Sequence, residues 1–325
     1  MRSQERELNM AEKVKLIPAD RIEITTLIDN YCNLVLPSTE MIQRVKRADA
    51  EGKVAQSPLA GHGLSLLIEI FQGDEKYVTL MDAGFPVSAV KHNWNLLNFN
   101  PSLVDTIFLS HGHFDHYAAL DEFLKKRERK IPMALHPEAF LERALIFPDG
   151  SKVELGRLSS RQSLEKSGAE TIITEKPYLL SPCLVSTGEI ERLTSFEGRF
   201  LQAYAKIDGK WQPDDFFDDQ GLAAIVGEKG IVVITGCAHA GIVNTVVQAR
   251  KITDVEKVYA IIGGFHLTGM PREQIDNTVR AIKAFDPDLV VPIHCTGFEA
   301  QCEIARQMPE SFVLNSVGTR IVLSS

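Results

Sequence analysis

Four short, β-branched runs in this sequence each lead to a histidine. The runs are 106–109 (TIFL), 231–235 (IVVIT), 258–262 (VYAII) and 289–293 (LVVPI), and they lead to His111, His239, His266 and His294. Apolar runs this short, rich in branched residues and bounded by turn residues, predict strands covered on both faces. Strands of that kind belong to sheets with helices packed on them, in which ligands gather at the carboxyl ends of the strands. Four imidazoles delivered to one rim therefore predict an α/β architecture and a site of chemistry together.

The first strand end is the densest. In His111-Gly112-His113-Phe114-Asp115-His116, three imidazoles and a carboxylate fall within six residues, and a helix pattern follows at once. Residues i and i+2 at a strand end can point two imidazoles at one ion. The next turn then presents Asp115 and His116 to a second position alongside. Imidazole with carboxylate suits zinc, manganese or iron better than calcium or magnesium. Zinc, as one or two ions, is the expected cofactor, with manganese or iron as the alternatives.

The rest of the chain sets the frame. Residues 1–19 read as a polar leader, and 20–325 as a single domain with insertions near 31–63 and 187–219 that shape a pocket. Helices are predicted over 39–50, 117–126 and 137–144, among others, and strands over 199–206 and 312–316 near the end. With 44% hydrophobic and 24% charged residues, the composition is that of an ordinary globular chain. A net charge of -8 argues against nucleic acid as a partner, because gripping phosphate backbones needs a Lys/Arg surplus on one face. The basic run 125–130 reads as a solvated helix end. Five scattered cysteines form no disulfide framework and suit a reducing compartment. No signal-peptide core is present, and no stretch nears the roughly 20 apolar residues of a membrane span. A cytoplasmic protein acting on a small molecule is expected; a homo-oligomer is compatible with the sequence.

H-x-H-x-D-H is also the signature of the metallo-β-lactamase-fold hydrolases, and the chain resembles that superfamily over nearly its whole length. The resemblance implies a four-layer αβ/βα sandwich, with two mixed β-sheets face to face and helices outside. It assigns His111, His113 and His239 to one metal and Asp115, His116 and His294 to a second, with Asp115 as the catalytic carboxylate. Asp82, in Met81-Asp82-Ala83-Gly84, matches the superfamily's Asp-x-Gly turn and would buttress the metal loop.

Further motifs resemble one branch. They are His62-Gly-Leu-Ser-Leu-Leu-Ile-Glu69, Gly188-Glu-Ile-Glu-Arg192, Gly236-Cys-Ala-His-Ala-Gly-Ile-Val-Asn244, Gly264-Phe-His-Leu267 and Pro292-Ile-His-Cys-Thr-Gly297. The branch is named for 7,8-dihydropterin-6-methyl-4-(β-D-ribofuranosyl)aminobenzene 5'-phosphate synthase. It implies a metal-dependent hydrolase or transferase acting on a phosphorylated or anionic small molecule, with a dihydropterin diphosphate as one such substrate. An iron-based redox or oxygen-handling protein on the same fold is the alternative.

The chain departs from the commonest binuclear pattern at one place. Many superfamily hydrolases carry a bridging Asp at the end of the strand before the last ligand, and here that strand ends Gly263-Gly264-Phe265-His266. His266 is open between metal ligand, substrate contact and packed histidine. Glu189 and Arg192 are candidate substrate contacts, since Arg suits phosphate or carboxylate, with an exposed ion pair as the alternative. Lys91 and His92 read as surface residues, His136 as no ligand, and Cys237 and Cys295 as small buried residues beside the ligands.

Overall fold

Alternating side chains along the strands split the interior into layers. In the strand Gly230–Thr235, Val232 and Ile234 enter one apolar cluster while Ile231 and Val233 enter another. The strand Leu289–Ile293 divides the same way, with Val291 and Ile293 on one side and Val290 on the other. A period of two with apolar residues on both faces means a sheet covered twice.

The computed structural model describes residues 13–197 and 202–325. One sheet has eight strands, ordered Ile42–Gln43, Arg320–Ser324, Arg21–Ile28, Ser65–Gln72, Glu75–Met81, Thr106–Phe108, Ile131–Leu135 and Ala169–Ile173. A second has six, ordered Leu179–Ser181, Leu184–Ser186, Gly221–Val226, Gly230–Thr235, Val258–Gly264 and Leu289–Ile293. The central cluster takes Ile22, Ile24, Leu66, Ile68 and Phe108 from the first sheet and Leu222, Ala224, Val232, Ile262 and Val291 from the second. The two sheets are therefore face to face. Helices Val87–Leu96, Leu120–Lys125 and Arg161–Lys166 cover the outer face of the first through Val90, Trp94, Phe123 and Leu164. Helices Ile242–Thr253, Arg272–Ala284 and Phe298–Gln307 cover the second through Val246, Ile275, Val279 and Ile304. This is the expected four-layer αβ/βα sandwich.

Register aligns the strand ends. Met81 pairs with Phe108 and Phe108 with Ala134, all in parallel. In the other sheet Thr235 pairs with Gly263 and Gly264 with Ile293, also in parallel. The residues that follow these strands emerge along one rim.

Several local expectations fail. Residues 39–50 form no helix; only the short strand Ile42–Gln43 is regular there. Ile42 is the single buried residue of that stretch, so a helix would have had no apolar face to bury. Arg44 instead ties the segment down through the Leu314 carbonyl and Thr319 Oγ1. The helix expected over 137–144 is a 3-10 turn, Pro137–Phe140, followed by the strand Arg143–Ile146. That strand belongs to a third, four-stranded antiparallel sheet with Lys152–Gly156, Ala203–Ile207 and Lys210–Pro213, which local periodicity did not reveal. Residues 312–316 make only an isolated bridge, Val290 to Phe312. The strand expected over 199–206 appears as Ala203–Ile207; its first residues, 199–201, lie outside the described residues.

Of the expected leader, residues 1–12 lie outside the described residues. Its remainder follows the second sheet: Val14 N donates to the Ile252 carbonyl, Leu16 is buried, and Ala19 bridges Val226. No helix among the described residues is long and apolar enough to cross a membrane.

Candidate metal centre

The five residues after Thr106–Phe108 bend over the rim and enter the one-turn helix Phe114–Tyr117, with His113 as its N-cap. This bend needs Gly112. An added Cβ there would lie 2.1 Å from the Ala139 carbonyl oxygen, which no side chain tolerates. Both sides of the Gly112 peptide are held. Its N–H donates to Asp218 Oδ2 at 2.7 Å, and its carbonyl accepts from Arg143 Nη1 at 3.3 Å. Arg143 is itself 1% exposed and donates to Asp214 Oδ2 and Asp218 Oδ1, both at 2.7 Å. Burial opposes its charge, but Asp218 and Asp214 outweigh that and raise its pKa.

Two triads result. The ligand atoms of His111, His113 and His239 lie within 4.8 Å of one another, and so do those of Asp115, His116 and His294. His111 Nε2 and His113 Nδ1 are 2.9 Å apart. Asp115 Oδ2 lies 3.2 Å from His294 Nε2 and 3.7 Å from His116 Nε2. His239 lies stacked on Phe216, ring centroids 4.2 Å apart and planes 11° from parallel. Asp82, Ala238, His266 and His294 adopt positive φ angles of 58°, 56°, 45° and 51°. Non-glycine residues in that region each cost about 1–3 kcal/mol and persist only where the surroundings enforce them.

Four of the donor groups, His111, His113, His239 and Asp115, are in the state a divalent ion requires. Burial first, then the neighbouring histidines, pushes His111 and His239 well below the usual imidazole range. Burial and then Arg143 take His113 down to about 3. All three are neutral at pH 7, with a lone pair to offer. Both ring nitrogens of His239 are buried without a hydrogen-bond partner among the described residues. Burial would raise Asp115, yet His116 and His294 outweigh it and keep the carboxylate ionised. Burial likewise opposes charge on His116, but Asp82 and Asp115 lift its pKa to about 9. A cation between these groups would replace that proton.

Asp82 orients the cluster. It accepts from Ser110 N and Ser110 Oγ, each at 2.8 Å, and its Oδ2 lies 2.6 Å from His116 Nδ1. The Ser110 hydroxyl proton goes to Asp82, so His111 Nδ1, 2.9 Å from Ser110 Oγ, must be the protonated nitrogen. Nε2 of both histidines is thereby left facing the centre. Asp82→Ala should weaken metal binding about 10–100-fold. Competition with a chromogenic chelator measures this, and an unchanged affinity would remove Asp82 from the role.

Other expectations meet a mixed outcome. His266 lies beside the first triad, its ring 4.1 Å from His239, and its ligand atom groups with those of Cys237 and Cys295. Arg192 is directed at main chain, donating to the carbonyls of His239, Asp215 and Phe216, so it braces the His239 loop. Glu189 Oε2 is 3.6 Å from Nε2 of the buried His136. Lys91 pairs with Glu122 on the surface, and His92 Nε2 lies 3.0 Å from the Ser57 carbonyl. Residues not foreseen include Arg143, Asp214, Asp218 and Phe216. His62 was seen only as part of a motif. It reaches the mouth of the centre, Nε2 3.6 Å from Asp115 Oδ2 and its ring 5.3 Å from that of His294, with its side chain 63% exposed.

The family model described as "Metallo-beta-lactamase superfamily" matches residues 59–294, which contain both triads. The chain belongs to the metallo-β-lactamase superfamily. Within it, the chain is 35% identical over 254 residues to a Methanocaldococcus jannaschii protein named 7,8-dihydropterin-6-methyl-4-(beta-D-ribofuranosyl)-aminobenzene-5'-phosphate synthase. That match covers 77% of this chain and 86% of the relative. An uncharacterized protein of the same organism is 32% identical over 259 residues, covering 80% of this chain and 92% of its own. Among solved structures, a metal-dependent hydrolase of the β-lactamase superfamily superposes with a TM-score of 0.69 at 20% identity. It covers 94% of this chain and all of its own, and it bears on the fold alone. Metallo-β-lactamase folds imply divalent metal ions, and the two triads are ligand sets of the right chemistry.

Proposed function

We propose that this protein is a metal-dependent hydrolase or transferase acting on a phosphorylated or otherwise anionic small molecule. The observation that carries it is the convergence of two triads on one rim, one of three imidazoles and one of a carboxylate with two imidazoles. His111, His113 and His239 would hold one ion, and Asp115, His116 and His294 a second, zinc being the expected metal and manganese or iron the alternatives. When bound, such ions acidify water and polarise a phosphoryl or carbonyl oxygen. Asp115 would help hold the second ion and orient the attacking or departing oxygen. His62 stands outermost and contacts the substrate. The nearby cations Arg143 and Arg192 are engaged with carboxylates and carbonyls, so the substrate's anionic group meets the metal positions themselves. The same centre could assist departure of diphosphate from a dihydropterin diphosphate while an arene attacks; the name of the 35% identical relative, a synthase of a dihydropterin joined to an aminobenzene phosphate, supports a pterin substrate.

The test compares metal-replete protein, chelator-treated protein and His113→Ala against phosphoesters, lactones, and pterin diphosphate with an arene acceptor. Activity is expected only in the metal-replete protein. Turnover that survives both chelation and His113→Ala would sink the metal mechanism. A second reading, an iron-based redox or oxygen-handling centre, is favoured by His266 beside His239 where a carboxylate is usual. Stoichiometric redox-active iron in protein purified without added metal would support it; zinc or manganese would count against it.

A further inference from the structure

The group lying between the two triads is a thiol. Cys237 Sγ is 3.2 Å from His116 Nε2, in the second triad, and within 4.8 Å of the His111 ligand nitrogen, in the first. Two ligands on one tetrahedral ion, with Zn–S near 2.3 Å and Zn–N near 2.0–2.1 Å, stand about 3.5 Å apart. The sulfur and His116 Nε2 are thus spaced as ligands of the same ion.

The fold builds this position. Gly236 lets the chain leave the strand Gly230–Thr235 directly against the metal loop, since a Cβ there would lie 2.1 Å from Ser110 Oγ. The positive φ of Ala238 then turns the chain so that Cys237 faces between the triads and His239 completes the first. Cys237 is 3% exposed, so its sulfur meets the centre rather than solvent. His266, at the end of the next strand, stands behind it: its ligand atom is grouped with Cys237 and Cys295, while Cys237 alone is also grouped with His111 and His116.

We propose that Cys237 supplies a thiolate ligand to an ion that it shares with His116, on the side facing His111. The proposal rests on the reading that the two triads hold metal. On binding, the Cys237 S–H proton is released to solvent and one sulfur–metal bond forms, with no change of oxidation state. A soft donor in this place favours zinc, iron or cobalt over magnesium, calcium and manganese.

The test uses the full chain loaded with cobalt(II) alone. The wild-type protein should bind cobalt, show visible ligand-field bands, and add a near-ultraviolet thiolate-to-cobalt charge-transfer band. Cys237→Ser should lose the charge-transfer band and keep the ligand-field bands, and Cys295→Ser should keep both. X-ray absorption at the metal edge of the wild-type protein should find a sulfur neighbour near 2.3 Å, a readout that survives even if Cys237→Ser fails to fold. Cobalt bound with no charge-transfer band and no sulfur neighbour overturns the thiolate ligand and leaves the metal centre standing. A band lost in Cys295→Ser but kept in Cys237→Ser assigns the wrong cysteine here and also overturns it. No cobalt bound at all overturns both readings.

Discussion

Arg143→Leu is expected to destabilise the protein by about 3–5 kcal/mol, because removing one partner of a buried ion cluster leaves the other charges uncompensated. Asp214 and Asp218 would both lose the Arg143 guanidinium, at positions 4% and 0% exposed. For a chain of this size such a loss lowers the thermal midpoint on the order of 10 °C. The effect reaches the metal centre as well. Asp218 and Arg143 grip the two sides of the Gly112 peptide, so loosening them frees the turn between His111 and His113. Metal content measured with the thermal midpoint separates two cases. A shift in midpoint without metal loss would show that the cluster supports the third sheet and not the loop. A midpoint unchanged within 1 °C would contradict the account of the cluster altogether.

Asp115→Ala is expected to give the largest catalytic loss, about 10³-fold in kcat/KM. That is close to 4 kcal/mol at 1.4 kcal/mol per decade, the several kcal/mol expected of metal-assisted charge stabilisation. Asp115 is the one carboxylate of the second triad and the group that both His294 and the mouth residue His62 approach. Its removal should lower metal content from two ions toward one per chain, because His116 would keep Asp82 but lose its other anionic neighbour. The measurement is metal stoichiometry by emission spectroscopy beside kinetics on whichever substrate the screen identifies. Two tightly held ions and unchanged kinetics in Asp115→Ala would mean that the second triad is not a metal position.

Much of the architecture was readable because its signals are local. The buried strands are continuous β-branched runs, and their two-sided apolar character is a property of a few consecutive residues. The segments that misled are those whose structure is decided elsewhere. Residues 39–50 have helix-forming side chains but one buried residue, and Arg44 spends its guanidinium on the distant residues Leu314 and Thr319. The strand Arg143–Ile146 depends on pairing with Ala203–Ile207, sixty residues on, which local periodicity does not encode.

The site divides along the same line. By itself the sequence determined the donor chemistry: His111, His113, Asp115 and His116 in six residues, with His239, His266 and His294 each at the end of an apolar strand. Only the tertiary structure decided which of these donors share a centre, because that depends on parallel register between strands and on left-handed turns at Asp82, Ala238, His266 and His294. Those turns place Cys237 beside His111 and His116, with His266 and Cys295 on its other side, while Arg192 donates to the carbonyls of His239, Asp215 and Phe216. A strand end announces that a side chain arrives at the rim. The few degrees of freedom after it, held by groups as remote in sequence as Arg143 and Asp218, set where it points.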